Sequence, residues 1–415
     1  MKGPNGMNKR LPSSELTRRS FLSGAISIGA IGASSKLDRE TTASTPSSSS
    51  VVPQTSRTRG FTLWCASGGL IDPKSSSDQP EVETFVKQCV DVGVTRLIAN
   101  NASRILVDTA RAHGIETHSY VALNSHGGVR MRFAWSCEII RPPIGTSEAT
   151  AILNTHRPIW SSPNAQPRMS DFARTHQELR GQNREHRDEL QPYERLQLSP
   201  IFPEMRRHEI SRYLDLLEKS GADGVQAEFV LANEDAEGVD TNGYETAMVD
   251  AYRAQTGRDP FTLPNNTPDW IQFRADQVTV LLRELRETLR EKNPRSTFTV
   301  SLIHRERAAY LKVLQDWPRW VQDDLVDELH LWFRTTSSLK DVEHHTKEAA
   351  KIIGGRCPLV VELSCYHPGS FQDPTLMLEA ARRALTNGAD SIGLYRGHSI
   401  AQLIFWTVID KILSV

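Results

Sequence analysis

The stretch Gly221-Ala222-Asp223-Gly224-Val225-Gln226-Ala227-Glu228-Phe229 decides how this chain folds. Before it runs an amphipathic helical segment, Glu204 to Ser220, and Gly221 stands where a helix end takes left-handed backbone angles. From Gly224 onward Val225, Ala227 and Phe229 alternate with Gln226 and Glu228, the period-two pattern of a strand. A strand covered by helices must be apolar on that side. Val225, Ala227 and Phe229 therefore belong to the helix layer, and Gln226 and Glu228 face the other way.

The same unit repeats outward in both directions. Strands are expected at Phe61 to Ala66, Thr95 to Ala99, Thr117 to Leu123, Gly224 to Val230, Thr297 to Ile303, Glu328 to Phe333, Leu359 to Cys365 and Ser391 to Tyr395. Helices are expected at Glu81 to Val92, Ser103 to His113, Glu204 to Ser220, Trp270 to Lys292, Leu339 to Ile353, Thr375 to Asn387 and Ile400 to Leu413. Eight strand–helix units suit an α/β protein of the (β/α)8 TIM-barrel class better than an open doubly wound sheet. No GxGxxG or GxxxxGK[ST] phosphate loop is present. Two long insertions, Asn124 to Leu198 after the third strand and Leu231 to Asp269 after the fourth, fall at the face where barrels carry their sites.

The 415 residues divide into three parts. Residues 1–35 contain Thr17-Arg18-Arg19-Ser20-Phe21-Leu22 ahead of a mild apolar run to Ala33, the form of a twin-arginine signal peptide. That run is roughly half the ~20 residues of a membrane span, so no stable span is expected. Residues 36–58 are a Ser/Thr-rich linker with too little apolar surface to fold, and residues 59–415 are the barrel. The expected partners are the twin-arginine export machinery and a carbohydrate, with a periplasmic or extracellular location. Charge is balanced at 49 basic and 50 acidic residues, so nucleic acid is not an expected partner. Cys65, Cys89, Cys137, Cys357 and Cys365 form no CxxC pair, and no HxH or HExxH is present, so neither a metal nor another cofactor is expected.

Alternation in the other strands turns further polar groups inward. Glu362, Ser364 and Tyr366 face in on the seventh strand, and His330, Trp332 and Arg334 on the sixth. Trp64, His118, Tyr120 and Tyr395 follow on the first, third and eighth. Barrel interiors are ordinarily filled by branched apolar layers, so this collection points to a binding site. Carboxylates that bond hydroxyls beside Trp and Tyr faces make a carbohydrate pocket, with Trp64, His118, Tyr120, Gln226, His330, Trp332, Arg334, Tyr366 and Tyr395 as substrate-binding candidates.

Glycoside cleavage needs one acid to protonate the leaving oxygen and one carboxylate as nucleophile or base. Glu228 takes the second role, and Glu362 or Glu306, with Glu234 and Asp235 as further choices, the first. Each has a structural alternative: Glu228 paired with Arg334 or His330, and His118, His304 and His330 as satisfied core histidines.

Leu198-Ser-Pro-Ile-Phe-Pro-Glu-Met-Arg206, followed by a helix and Gly221 to Phe229, resembles the glycosyl-hydrolase-like family 10 barrels, with Glu228 at the position of the family's strand-four Asp. Trp64, Asp269-Trp270-x-x-Phe-Arg274 and Trp317-x-x-Trp320 leading to Val326-Asp327-Glu328 extend the resemblance from about Arg59 to the C-terminus. It implies a barrel and a glycosidase. Val230, Leu231 and Ala232 stand where the family often has Arg, and Glu for Asp moves the carboxylate by one methylene. The remaining readings are a noncatalytic carbohydrate-binding barrel, and a metal-dependent hydrolase or isomerase using His330, His304 and Glu228.

Overall fold

The computed structural model describes residues 61–65, 79–128, 168–185, 195–229, 233–334, 336–364, 369–371, 373–395 and 411. All belong to one compact unit, residues 57–415. The expected signal and linker lie outside the described residues, as does the helix expected from Ile400 to Leu413 apart from Lys411.

The parallel strands are β1 (Phe61–Cys65), β2 (Arg96–Asn100), β3 (Glu116–Ala122), β4 (Gly224–Phe229), β5 (Thr297–Ile303), β6 (Glu328–Phe333), β7 (Leu359–Ser364) and β8 (Ser391–Tyr395). They pair in chain order, and β8 returns to pair with β1, so the sheet curls into a closed barrel. The helices are α1 (Gln79–Asp91), α2 (Arg104–Ala112), α3 (Pro203–Ser220), α4 (Thr246–Thr256), α5 (Pro268–Lys292), α6 (Arg307–Lys312), α7 (Trp317–Gln322), α8 (Leu339–Ile353) and α9 (Pro374–Thr386).

The main apolar core lies between strands and helices. Val225 and Ala227 of β4, Leu329, Leu331 and Phe333 of β6, and Leu359, Val361 and Leu363 of β7 are buried in one cluster with Leu281, Leu285 and Leu289 of α5. These are the strand residues that alternation assigns outward. Burial of side chains of this size contributes roughly 1.5–3 kcal/mol each.

The described parts of the segment after β3 form a short antiparallel ladder, Gly127–Gly128 between Arg168–Met169 and Arg195–Leu196. The segment after β4 is not the plain loop its Asn, Asp and Gly content suggests. It holds α4, whose Met248 and Tyr252 join Tyr244, Trp270 and Phe273 in a separate apolar cluster. Tyr252 meets Trp270 edge-on at 4.9 Å between ring centroids.

Register is set by a recurring aspartate. Asp223, just before β4, accepts the Thr117 N–H of β3 at 2.9 Å; Asp327, before β6, takes the Phe298 N–H of β5 at 2.8 Å. Asp390, before β8, takes the Leu359 N–H of β7 at 2.9 Å. Each carboxylate satisfies an amide at the start of the neighbouring strand, that of the second residue in β3 and β5 and of the first in β7. Gly224 then admits a close approach: a Cβ there would lie 2.6 Å from both His118 Nε2 and the Thr297 carbonyl.

Asp223 also accepts the Thr117 hydroxyl and an Arg111 N–H, each at 3.1 Å. Asp223→Ala orphans these donors and is expected to lower stability by about 1–2 kcal/mol in denaturant titration. A loss below about 0.5 kcal/mol, the scatter of ordinary surface changes, would show that the clasp contributes nothing.

Candidate functional site

The lower interior of the barrel is ionic. Arg96 of β2 bonds Glu116 of β3 through Nε at 2.8 Å and Glu328 of β6 through Nη1. His118 Nε2 faces Glu116 Oε1 at 2.8 Å. His330 lies between two carboxylates, Nε2 to Glu328 Oε1 at 2.6 Å and Nδ1 to Glu362 Oε1 at 2.5 Å, and Ser301 Oγ donates to Glu362 Oε2 at 2.9 Å. His118, His330 and Glu362 have no exposed surface.

Burial alone would lower the His330 pKa, but Glu362 and Glu328 outweigh it and push it up to about 9. The imidazolium donates from both nitrogens and has no lone pair left for a metal. Burial alone would raise Glu328, yet His330 and Arg96 hold it at about 2. Burial lowers His118, which Glu116 only partly offsets.

Above this layer an inner cluster, separate from the main core, joins Ile98, Tyr120, Trp332 and Tyr395. The Trp332 and Tyr395 rings are 4.2 Å apart, and the Arg334 guanidinium stands 5.3 Å over the Trp332 ring. Glu228 sits at the C-terminal end of β4, 7 % exposed, in register with Ala122 on one side and Ser301 on the other. Because Val225 and Ala227 pack outward, alternation directs Glu228 into the barrel. Ser301, its cross-strand neighbour, is the residue that bonds Glu362.

The mouth thus brings together Tyr120, Trp332, Arg334 and Tyr395, and Glu228 ends the neighbouring strand β4. Glu362, His118 and His330 face inward as expected but lie in the ionic layer beneath, and they correct the expectation that all inward polar groups share one pocket. Two residues along a strand are about 6.6 Å of depth, which alternation does not report. Gln226 is inward and fully buried; neither end of its amide has a partner among the described residues.

Glu306 follows β5. It is the N-cap of α6, its side chain is 73 % exposed, and it faces His344 and His345 of α8 at 3.8 and 3.9 Å. Glu234 is held by Arg305 at 2.6 and 3.2 Å. Burial pushes His304 down to about 4, and its ring stacks on Phe333 of the outer layer, away from the barrel axis. Tyr366 and the Trp64 side chain lie outside the described residues; the Trp64 backbone pairs with Ile98.

Arg96, Glu116 and Glu328 form most of the ionic layer and are not among the expected site residues. The spacing Glu116-x-His118 and Glu328-x-His330, acid and histidine two apart on one strand face, was the available signal. A cavity of about 80 Å3 lies apart from the mouth, lined by Ser199, Asp240, Glu245 and Arg274 among others. Burial raises Asp240 there to about 6. Cys89 and Cys357 are buried free thiols, and burial pushes Cys357 up to about 12. Among the described residues no helix is long and apolar enough to cross a membrane.

A parallel barrel with helices outside and polar and aromatic groups at its C-terminal mouth is an α/β fold similar to that of glycoside hydrolase barrels. The model of the family described as Glycosyl hydrolase-like 10 matches residues 163–362, or 200 of the 415 residues. The glycoside hydrolase domain of PgaB (BpsB) from Bordetella bronchiseptica is similar in structure, with TM-score 0.53 and 11 % identity over 86 % of this chain and 98 % of that one. The β-galactosidase of the psychrophilic Marinomonas ef1 gives 0.51 and 12 % over 81 % of this chain, which spans about half (54 %) of that enzyme. At these identities the likeness is one of fold. No curated protein matches the chain.

The ionic layer makes stability pH-dependent in a stated direction. With a folded pKa of about 9 against 6.5, the His330 contribution is complete below pH 6.5 and lost as pH rises through 9. Glu328 and Glu116, at about 2 against 4.5, contribute above pH 4.5 and lose it as pH falls through 2. Thermal scans should show Tm falling between pH 6.5 and 9, and the fall being smaller and ending at lower pH in Glu362→Gln. A Tm level across that interval would mean that His330 is neutral in the folded protein.

Proposed function

We propose that this chain is an exported (β/α)8 barrel, with long insertions after β3 and β4, that binds a poly- or oligosaccharide at its mouth and hydrolyses a glycosidic bond. The observation that carries this reading is the inner cluster of Tyr120, Trp332 and Tyr395 above a floor of paired charges, with Glu228 at the C-terminal end of β4. Aromatic faces stack on the C–H surfaces of sugar rings, and Arg334 bonds hydroxyls from the rim. The glycosyl-hydrolase-like family match and the folds of the two neighbours support carbohydrate processing.

Glu228 is assigned as nucleophile or base. Glu362 is sealed and bound to His330 and Ser301, so the acid falls to Glu234 or Asp235 on the segment after β4. Separations of about 5 Å would make the enzyme retaining and about 6.5–9.5 Å inverting. The twin-arginine motif supports export.

A noncatalytic carbohydrate-binding barrel is the second reading. It is favoured by the Glu234–Arg305 pair, in which the guanidinium already engages both oxygens of that carboxylate.

The purified chain should release reducing ends from at least one member of a panel of plant, algal and bacterial polysaccharides. Glu228→Gln is expected to reduce that rate by about 10²–10⁴-fold while saccharide affinity and Tm stay near wild type. Binding without release of reducing ends in the wild type would establish the noncatalytic reading. Neither binding nor cleavage across the panel would end the carbohydrate assignment.

A further inference from the structure

The segment after β3 carries His126 against the first turns of α3. His126 Nε2 lies 2.8 Å from Glu209 Oε1 and both side chains are almost wholly sealed, yet the pair lacks the geometry of a hydrogen bond. His208, the residue before Glu209, brings a ring nitrogen within 4.8 Å of both donor atoms. Among the described residues its ring nitrogens have no hydrogen-bond partner.

The remaining contacts orient these three groups toward one point. His126 Nδ1 is taken by Ser170 Oγ at 3.1 Å, which leaves Nε2; Glu209 Oε2 accepts the Asn124 N–H at 3.0 Å, so Oε1 is the oxygen that faces His126 Nε2. The His208 ring is fixed by stacking on Phe172, centroids 3.7 Å apart and planes 3° from parallel. Such outer contacts are what hold metal ligands in place.

We propose that His126, His208 and Glu209 bind a divalent transition-metal ion of the zinc type. Two imidazole nitrogens and one carboxylate oxygen suit zinc, whereas magnesium and calcium take all-oxygen sets. Zinc–ligand lengths of about 2.0–2.2 Å place tetrahedral donors roughly 3.3 Å apart, so the cluster closes on an ion by small side-chain rotations. With three protein ligands the fourth position belongs to water. The ion would fasten the segment after β3, including the one-turn helix Asp171–Thr175, to α3.

One group opposes it. Arg212 Nη1 donates to the same Glu209 oxygen at 2.6 Å. Its side chain is 24 % exposed, so it can turn to solvent when the metal takes the oxygen. Metal and guanidinium therefore compete, and this separates a metal site from a simple ion pair.

The test uses the full chain, purified without a histidine tag, stripped with chelator and titrated with zinc chloride by calorimetry. One equivalent should bind, and His126→Ala and His208→Ala should each weaken it by about 10–100-fold or more. Arg212→Ala should tighten it. His344→Ala, which breaks the exposed Glu306–His344–His345 group, should leave it unchanged. Should stripping unfold the chain, metal content as purified and Tm with and without chelator decide: chelator should lower Tm in wild type and not in His208→Ala. The proposal is overturned by wild type that takes up no zinc, by affinity that survives both histidine changes, or by an Arg212→Ala variant that binds no more tightly.

Discussion

His330 held between Glu328 and Glu362 inside a closed barrel is the constraint on which the rest of the structure depends. A charge placed there has no water to solvate it, so its neighbours must carry the compensating charges with good geometry. Arg96, Glu116 and Ser301 complete the set, which draws on β2, β3, β5, β6 and β7. Such a set adds little net stability over an apolar filling, because desolvation consumes most of the Coulomb gain. What it imposes is position: five strands hold each other's depth along the axis through directional bonds, which branched apolar side chains do not do.

The mouth inherits that depth. Trp332 is two residues beyond His330, Tyr120 two beyond His118 and Ser364 two beyond Glu362, so a floor locked by charge fixes the next layer of side chains about 6.6 Å above it. Glu228, at the end of β4, is in register with Ser301 of that floor. Aromatic faces supported from below by residues that cannot move singly are the arrangement expected of a preorganised site. The glycosyl-hydrolase-like match over residues 163–362 includes β4, β5, β6 and most of β7, which carry most of these groups.

Much of this was legible in the residues and some was not. Alternation separates Val225 and Ala227, and Leu329, Leu331 and Phe333, in the outer layer from His330 and Trp332 inside, because one face has to be apolar. It said nothing about height, so His118, His330 and Glu362 were grouped with mouth residues that lie a layer above them. Arg96 and Glu116 were passed over because they open their strands, where polar residues usually mark the end of an element. Glu306 was placed by proximity to β5, but past the strand end alternation no longer applies and the chain turns it toward α8. In the segment after β4, Tyr244, Met248 and Tyr252 follow a four-residue spacing. The surrounding Asn, Asp and Gly obscured it, and Trp270 and Phe273 of α5 were needed to complete the cluster.

The aspartates before β4, β6 and β8 carry a consequence for how the molecule tolerates being cut. Each joins a strand to its sequence predecessor, making doublets of β3 with β4, β5 with β6 and β7 with β8. A circular permutation opened between doublets keeps every clasp within one continuous piece, while one opened inside a doublet asks two distant stretches to find the same register unaided. New termini should therefore be tolerated between α5 and β5 more readily than between α7 and β6, although both are connections of a few residues at the same end of the barrel.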